Sequence, residues 1–139
     1  MATFTKYQDA VEQMWTAIHN LTAAGHVVKA IIHTDAPTVA TDTVLTDLTQ
    51  ITGTGYTAGG DDTQNAMTES SGTATWTATD VVWTAGAADW SATARYVTQY
   101  NDTAASDNLL NSWDYGATFA LGNGETFTLD FGASVATLA

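Results

Sequence analysis

Three histidines have the spacing that first suggests chemistry, because His19, His26 and His33 follow one another at intervals of seven residues. Imidazole is the commonest neutral metal ligand, so equal spacing raises a metal site as a hypothesis. A seven-residue interval keeps one face only along a continuous helix, whereas Gly25 and the β-branched run after it predict a helix, a turn and a strand for the three. We favour structural or interface histidines, with no metal and no cofactor.

The twelve aspartates offer carboxylates for calcium binding or for acid–base catalysis. Candidates for an oxygen cage are the Asp61–Asp62 pair and the loop residues Asp35, Asp42 and Asp47. The alternating Asp/Asn ligands and closing Glu of a calcium loop are missing, which favours solvated turn carboxylates. Carboxylate separations, which decide glycosidase-type chemistry, are invisible in sequence, and no pair stands out. Calcium binding by an Asp cluster stays open at this point.

Nucleophilic catalysis has no motif in the chain. There is no cysteine and no Gly-x-Ser-x-Gly elbow. The glycine-rich stretch 53–60 lacks the Gly-Lys-Ser/Thr ending of a phosphate-binding loop, so turns are the better interpretation. The sequence predicts a protein that is not an enzyme.

The surface chemistry is acidic and rich in hydroxyl groups. Fifteen acidic against three basic side chains give a formal charge of −12, which repels phosphate backbones and anionic lipids. We therefore expect no nucleic acid and no membrane as partners, and no apolar run is long enough to span a bilayer. Thr and Ala number 27 and 24, whereas Lys and Glu number two and three. Such a surface costs little to desolvate, which is typical of an assembly protein.

Three side chains are candidate interface residues: Trp90, Arg95 and Trp15. Trp90 follows Ala-Ala-Asp in a predicted loop, where an aromatic side chain could contact a partner. Arg95 is the only arginine and is expected in an ion pair at a strand or subunit boundary. Trp15 lies on a helical stripe, for which core is the default interpretation, as it is for Trp76 on an apolar strand face.

The N-terminal segment has the apolar period of an amphipathic helix. The pattern predicts a helix from Thr5 to about Leu21, with Thr5 and Gln8 as a capping box and Gly25 beyond its end. Its stripe is Tyr7, Val11, Met14, Trp15, Ile18 and Leu21. Either the chain's own sheet or a neighbouring subunit must cover this stripe, and we favour the neighbour.

The remaining chain predicts strands. Val27–Ile32 is predicted as a central strand, 38–62 as a long ordered excursion with one helical turn, and 72–79 as a strand followed by a bend near Asp80. Further strands are expected at about 92–100 and 109–115. A hairpin is predicted to turn at Gly122-Asn123-Gly124 and to join Phe119 and Leu121 to Phe127, Leu129 and Phe131.

These elements define one domain, residues 1–139, with an N-terminal helix in 1–22 and a β domain in 26–139. The predicted fold class is mainly β: an antiparallel β-sandwich or small barrel of about six to eight strands with one N-terminal α-helix.

Several strings, in their order along the chain, resemble a family of small tailed-bacteriophage virion proteins. They are Val28–Pro37, Gly53–Gly60, Ala94–Tyr96, Tyr100–Thr103, Leu110–Gly116 and Gly124–Phe127. The likeness covers about residues 26–132, and its specificity lies in the order of motifs that are individually common. One departure is the loop 86–90, where Trp90 enlarges a region expected to be polar.

The resemblance implies a non-enzymatic capsid decoration (cement) protein or a related head or tail component. It implies the major capsid protein as partner, self-association as a homo-oligomer such as a trimer, and a place on the virion's capsid surface after assembly in the host cytoplasm. The alternative is a host- or glycan-binding module, or a tail or connector component, with Trp90 and the 53–62 loop as contact surface. A hydrolase using paired aspartates ranks third.

Overall fold

Ten strands and one helix make up the chain in the computed structural model, which describes residues 2–91 and 93–138. In chain order they are β1 (Thr3–Lys6), α1 (Gln8–Trp15), β2 (Val28–His33), β3 (Asp61–Asp62), β4 (Ala66–Ser70), β5 (Thr73–Thr77), β6 (Val81–Thr84), β7 (Ala94–Asn101), β8 (Asn108–Phe119), β9 (Thr126–Leu129) and β10 (Ala136–Leu138). A single 3-10 turn, Leu45–Asp47, lies between β2 and β3. The predicted mainly β fold with one helix near its N-terminus is confirmed.

The largest sheet, called the main sheet here, has the strand order β1-β8-β7-β2-β3. Its paired strands run antiparallel, and β2 has neighbours on both sides, as predicted for a central strand. β7 lies at the middle, and its residues from Tyr96 to Asn101 are all buried. Burial of consecutive residues means that both faces of the main sheet are covered along β7.

One face of the main sheet is covered by two smaller sheets, which gives the fold its sandwich-like character. The pair β6–β9 contributes Trp83 and Leu129 to a buried cluster that contains Ile32 of β2. The three-stranded sheet β10-β5-β4 contributes Trp76, which is buried in a cluster with Val28 of the same β2 face. Trp76 is therefore a core residue, as the strand pattern predicted.

The other face is covered by the beginning of α1 and by the segment between β2 and β3. Tyr7, Ala10 and Leu48 form a buried cluster with Ile31 and Tyr100 of the main sheet. The predicted long excursion is therefore ordered and contributes to the core. It has one helical turn, Leu45–Asp47, as expected.

Aspartates hold this excursion in place by accepting backbone N–H groups. Asp35 accepts from Thr49 at 2.6 Å, and Asp42 accepts from Thr38 at 2.7 Å. Asp47 accepts from the amides of Thr43 and Val44 at 2.8 and 3.1 Å. These are the turn carboxylates that the sequence favoured over a calcium loop.

The N-terminal helix is shorter than predicted. It spans Gln8–Trp15, and Thr5 belongs to β1, where it pairs with Ser112 of β8. Tyr7 occupies the N-cap position without a side-chain capping bond, so the capping box at Thr5 and Gln8 is wrong. Pairing with β8 holds residues 3–6 extended, which overrides the helical period of the sequence. Gly25 lies in a separate turn, where its N–H donates to Thr22 O at 2.8 Å.

The predicted C-terminal hairpin is also wrong, although the chain turns where expected. Glu125 N donates to Gly122 O at 3.0 Å, but β9 then pairs with β6 rather than with β8. Phe119 and Phe127 stack with ring centroids 4.4 Å apart, so the strands on either side of the turn meet face to face across the two layers. Alternating apolar residues around a tight turn suit this crossing as well as they suit a hairpin.

The bend predicted near Asp80 is confirmed. β5 ends at Thr77 and β6 begins at Val81, and the Asp80 carboxylate accepts the Phe131 amide at 2.9 Å. The break resets the alternation, so that Trp83 points inward and is buried.

Gly60 is the glycine on which the main sheet most depends. Its φ is +68°, and a Cβ there would lie 1.9 Å from the carbonyl oxygen of Ala30 in β2. Only glycine permits this approach of the excursion to β2, because any side chain would overlap the backbone of a central strand.

A Gly60→Ala variant should lower the free energy of unfolding by more than about 3 kcal/mol, because it adds overlap with backbone to the strain of a positive φ. Gly72→Ala is the matched control, since Gly72 also has a positive φ, +84°, but open space around the Cβ position. Strain alone should cost it about 1–2 kcal/mol. Urea unfolding of both variants measures the difference, and equal losses would contradict the close approach.

Candidate interaction surface on helix α1

Helix α1 is fixed to the domain through its first residues. Tyr7 is fully buried, its N–H donates to Leu110 O at 3.1 Å, and its hydroxyl lies 3.3 Å from Thr98 Oγ1. Burial raises the pKa of Tyr7 to about 12, so the phenol is neutral at any physiological pH. Gln8 N donates to Val39 O at 3.0 Å, which ties the helix to the excursion as well.

Three residues of α1 and one residue beyond its C-terminal end form an exposed apolar stripe. The stripe consists of Val11, Met14, Trp15 and Ile18, with exposed fractions of 40, 46, 86 and 41%. The predicted six-residue stripe is divided, because Tyr7 and Leu21 are buried in the chain's own core while these four residues are exposed, and the helical period ends with α1 at Trp15. Cover by a neighbouring subunit, the favoured alternative, stays a prediction. The default interpretation of Trp15 as a core residue is wrong, because Trp15 lies open at the surface, and its role as an interface residue stays a prediction. No helix in the described ranges combines the length and the apolar character needed to cross a membrane.

The segment after α1 is held by two histidines that share one asparagine. Asn101 Oδ1 accepts the N–H groups of Thr103 and Ala104 at 3.2 and 3.1 Å, so its Nδ2 is the atom that faces the histidines. Nδ2 lies 2.9 Å from Nδ1 of both His19 and His26. Both imidazoles therefore accept through Nδ1.

The histidines thus take structural roles, as favoured from the sequence. His19 follows the end of α1 rather than lying in it, and its Nε2 lies 2.8 Å from Gln13 Oε1 of the helix. His33 is separate, buried in β2, with Nε2 2.9 Å from Thr98 Oγ1 and its ring stacked on Tyr96. Across residues 2–91 and 93–138, no group of three or more His, Asp or Glu side chains is arranged to hold a metal ion.

An open groove of about 590 Å³ runs between α1 and the turn that follows β7. Asp9, Glu12 and Gln13 form its helix side, and residues 103–106 form the other. Its lining contains no lysine and no arginine. The helix side of this groove is therefore acidic.

Trp90 is a core residue, which corrects the prediction that it contacts a partner. It is 5% exposed, its Nε1 donates to Thr54 O at 3.0 Å, and its ring meets Tyr56 edge to face. Asp89 fixes the loop by accepting Thr54 N and Oγ1 at 2.9 and 2.8 Å. The polar Ala-Ala-Asp context concealed this burial, because the loop folds inward over the excursion.

Arg95 forms the expected ion pair at a strand boundary. Its Nε and Nη2 donate to the two carboxylate oxygens of Asp114 at 2.7 and 2.8 Å, which joins β7 to β8. The guanidinium holds the pKa of Asp114 at about 2. Arg95, Trp90 and Trp15 belong to different elements, and of the three only Trp15 offers an uncovered apolar surface.

Stability should fall as the pH drops from about 6.5 to 4. Burial lowers the pKa of His19 and of His33 to about 4, so in this window protons bind the unfolded chain and not the folded one. For the fully buried His33 the loss is on the order of 3 kcal/mol by pH 4. Urea unfolding at pH 7, 5.5 and 4.5 should show this slope, and His33→Gln should reduce it.

Asp114→Asn serves as the control for this prediction. The lowered pKa of Asp114 acts below about pH 4, so the variant should keep the slope between pH 6.5 and 4. Equal slopes in wild type and His33→Gln would contradict the assignment to His33.

Comparison with known proteins gives no functional assignment for this surface. No protein-family model, curated protein or solved structure matches the chain. The surface chemistry and the order of the sequence motifs are therefore the features that bear on function.

Proposed function

We propose that this protein is a non-enzymatic virion structural protein, a capsid decoration (cement) protein that binds the outside of an assembled phage head and stabilises it. The observation that carries the proposal is the apolar stripe of α1, where Trp15 is 86% exposed although the helix itself is firmly anchored. A soluble chain that holds a large aromatic in water on a fixed helix presents a contact surface. The motif order that resembles phage virion proteins supports the same conclusion.

The composition of the surface fits repeated protein contacts. Threonine hydroxyls and alanine methyl groups lose little rotamer entropy on burial, whereas the strongly hydrated Lys and Glu are almost absent. The proposed partners are the major capsid protein and further copies of this chain, with a trimer suited to the local three-fold positions of an icosahedral shell. The proposed location is the capsid surface of the virion, after assembly in the host cytoplasm.

Stabilisation would follow from mass action. A protein that binds the assembled lattice, and not its dissociated subunits, stabilises the lattice by RT ln(1 + [L]/Kd) for each site. An oligomer that touches adjacent capsomers adds the effect of multivalency, because one bound contact raises the local concentration of the next. Together these terms would oppose expansion of the shell by packaged DNA.

The glycan-binding alternative has lost its residue-level support. It required Trp90 as an exposed stacking platform, and Trp90 is buried against Tyr56. A tail or connector location uses the same contact chemistry and differs in where the copies lie on the particle.

Purified protein added to shells that lack it should appear as regularly spaced density on their outer surface. At a free concentration of 100 times Kd, each site should contribute about 2.7 kcal/mol to shell stability, which raises the temperature of shell disruption. Electron microscopy and thermal disruption of decorated and undecorated shells measure both effects. Absence of density outside the shell would overturn the proposal, and a few copies at one vertex would identify a connector or tail component.

A further inference from the structure

We propose that residues 16–20, which follow α1, are held by a latch that acid releases: protonation of His19 at Nδ1 frees them from the end of β7 while the sheets stay folded. The latch is a chain of hydrogen bonds through four side chains, Asp9, Gln13, His19 and Asn101. It belongs to the isolated protein and does not depend on the proposed function.

Each hydrogen bond of the latch has a fixed direction. At one end, the Asp9 carboxylate accepts from Gln13 Nε2, which leaves Gln13 Oε1 to face His19 Nε2 at 2.8 Å. At the other end, Asn101 Oδ1 accepts two backbone N–H groups, so its Nδ2 donates to His19 Nδ1 at 2.9 Å. His19 therefore carries its proton on Nε2 and accepts on Nδ1.

Protonation of His19 breaks this order. An imidazolium donates from both ring nitrogens, so a second N–H would face the N–H groups of Asn101 Nδ2. The Asn101 amide does not titrate, and rotating it does not remove the conflict, because Nδ2 would then face the backbone N–H groups of Thr103 and Ala104. The closed arrangement offers a protonated His19 no acceptor at Nδ1, so the charged ring is more stable in water than beside Asn101.

The groups around His19 set the acidity at which this happens. Burial is the largest influence and lowers the pKa of His19 to about 4. The His26 ring acts in the same direction, and Asp9 of α1 acts in the opposite direction. His26 in turn shares the open groove with Asp9 and Glu12, and lines a second cavity, of about 350 Å³, with Asp62 of β3.

Two features confine the opening to residues 16–20. Leu21, the next residue, is buried against Trp76 in the core, and its carbonyl oxygen accepts from Asn65 Nδ2 at 3.0 Å. Ala17 has a φ of +61° just beyond the end of α1, at a position where glycine is usual. The strain of this backbone favours release of the stretch before Leu21.

Hydrogen exchange of the Ile18 amide measures the opening, because this amide donates to Gln13 O at 2.9 Å in the closed state. With a pKa of about 6.5 for the open ring and about 4 for the closed one, the opening constant should be about 50-fold larger at pH 4.5 than at pH 7. Protection of Ile18, corrected for the intrinsic pH dependence of exchange, should fall by that factor. The buried Thr63 amide, which donates to Val28 O, should stay better protected than Ile18 at both pH values, because the sheets remain folded.

His19→Asn removes the titration and keeps an acceptor. The new side-chain oxygen takes the place of Nδ1 and accepts from Asn101, so the variant should lose most of the 50-fold rise at Ile18. His33→Gln is the matched control, because burial also lowers the pKa of His33 to about 4, but this residue lies in β2. It should keep the rise. Nitrogen-15 NMR of the wild-type protein at pH 7, which needs no substitution, should show His19 Nδ1 without a proton.

Other results would overturn the latch. Unchanged protection of Ile18 between pH 7 and 4.5 would do so directly. A rise that persists in His19→Asn, or disappears in His33→Gln, would assign the protonation to another group. Equal protection of Ile18 and Thr63 would mean that residues 16–20 open only when the whole domain unfolds, and a proton on His19 Nδ1 at pH 7 would contradict the direction of the hydrogen bonds. Shell binding is measured separately and stands or falls on its own.

Discussion

β7 is buried on both faces from Tyr96 to Asn101, and this double coverage determines what the rest of the chain must do. Successive side chains of a strand point to opposite faces, so each face of the main sheet needs its own cover. The two smaller sheets supply one cover, and Tyr7, Ala10 and the excursion supply the other. Polar residues within the buried run need partners too, because an unpaired buried polar group costs about 1–3 kcal/mol.

Those partners come from distant parts of the chain. Thr98 meets the Tyr7 hydroxyl and His33 Nε2, while Gln99 accepts from Asn111 Nδ2 at 3.0 Å and lies 3.3 Å from Thr63 Oγ1. Asn101 Nδ2 donates to Nδ1 of His19 and of His26, the two histidines that follow α1. The same strand that requires covering thus fixes the position of the helix that displays the exposed stripe. The contacts that bury β7 are therefore also the contacts that position α1 and its exposed stripe.

Local patterns in the sequence predicted most of the elements and few of their partners. The strand at Val28–His33, the bend at Asp80 and the ordered excursion follow from composition and period, which are properties of neighbouring residues. The pairing of β9 with β6 does not, because the aromatic alternation around Gly122–Gly124 is the same for a hairpin and for a crossing between layers. Strand pairing depends on contacts distant in sequence, which periodicity does not contain.

At the candidate surface too, local patterns predicted the elements but not the contacts between them. Helical spacing predicts one face for Val11, Met14 and Trp15, which lie on α1, whereas Ile18 lies beyond the end of the helix, and spacing does not say whether a face is covered. Trp90 is the converse case, since its polar neighbours suggested exposure while Asp89 and Thr54 fold the loop inward. Local sequence therefore predicted exposure poorly for both tryptophans: the helical period favoured a buried Trp15, and the polar neighbours favoured an exposed Trp90.

The pairing of β1 with β8 has a consequence for the order of events during synthesis. Thr3 pairs with Asp114, so the N-terminal strand waits for a partner translated more than one hundred residues later. At ribosomal rates of ~5–20 residues per second that delay is roughly 5–20 s, during which a long loop remains to be closed. The Tyr7 N–H also donates to the carbonyl oxygen of Leu110 in β8. Helix α1 therefore has no fixed position on a nascent chain before β8 has been synthesised. Display of the stripe is thereby coupled to near-completion of the fold, and chains interrupted before β8 have no fixed helix to present.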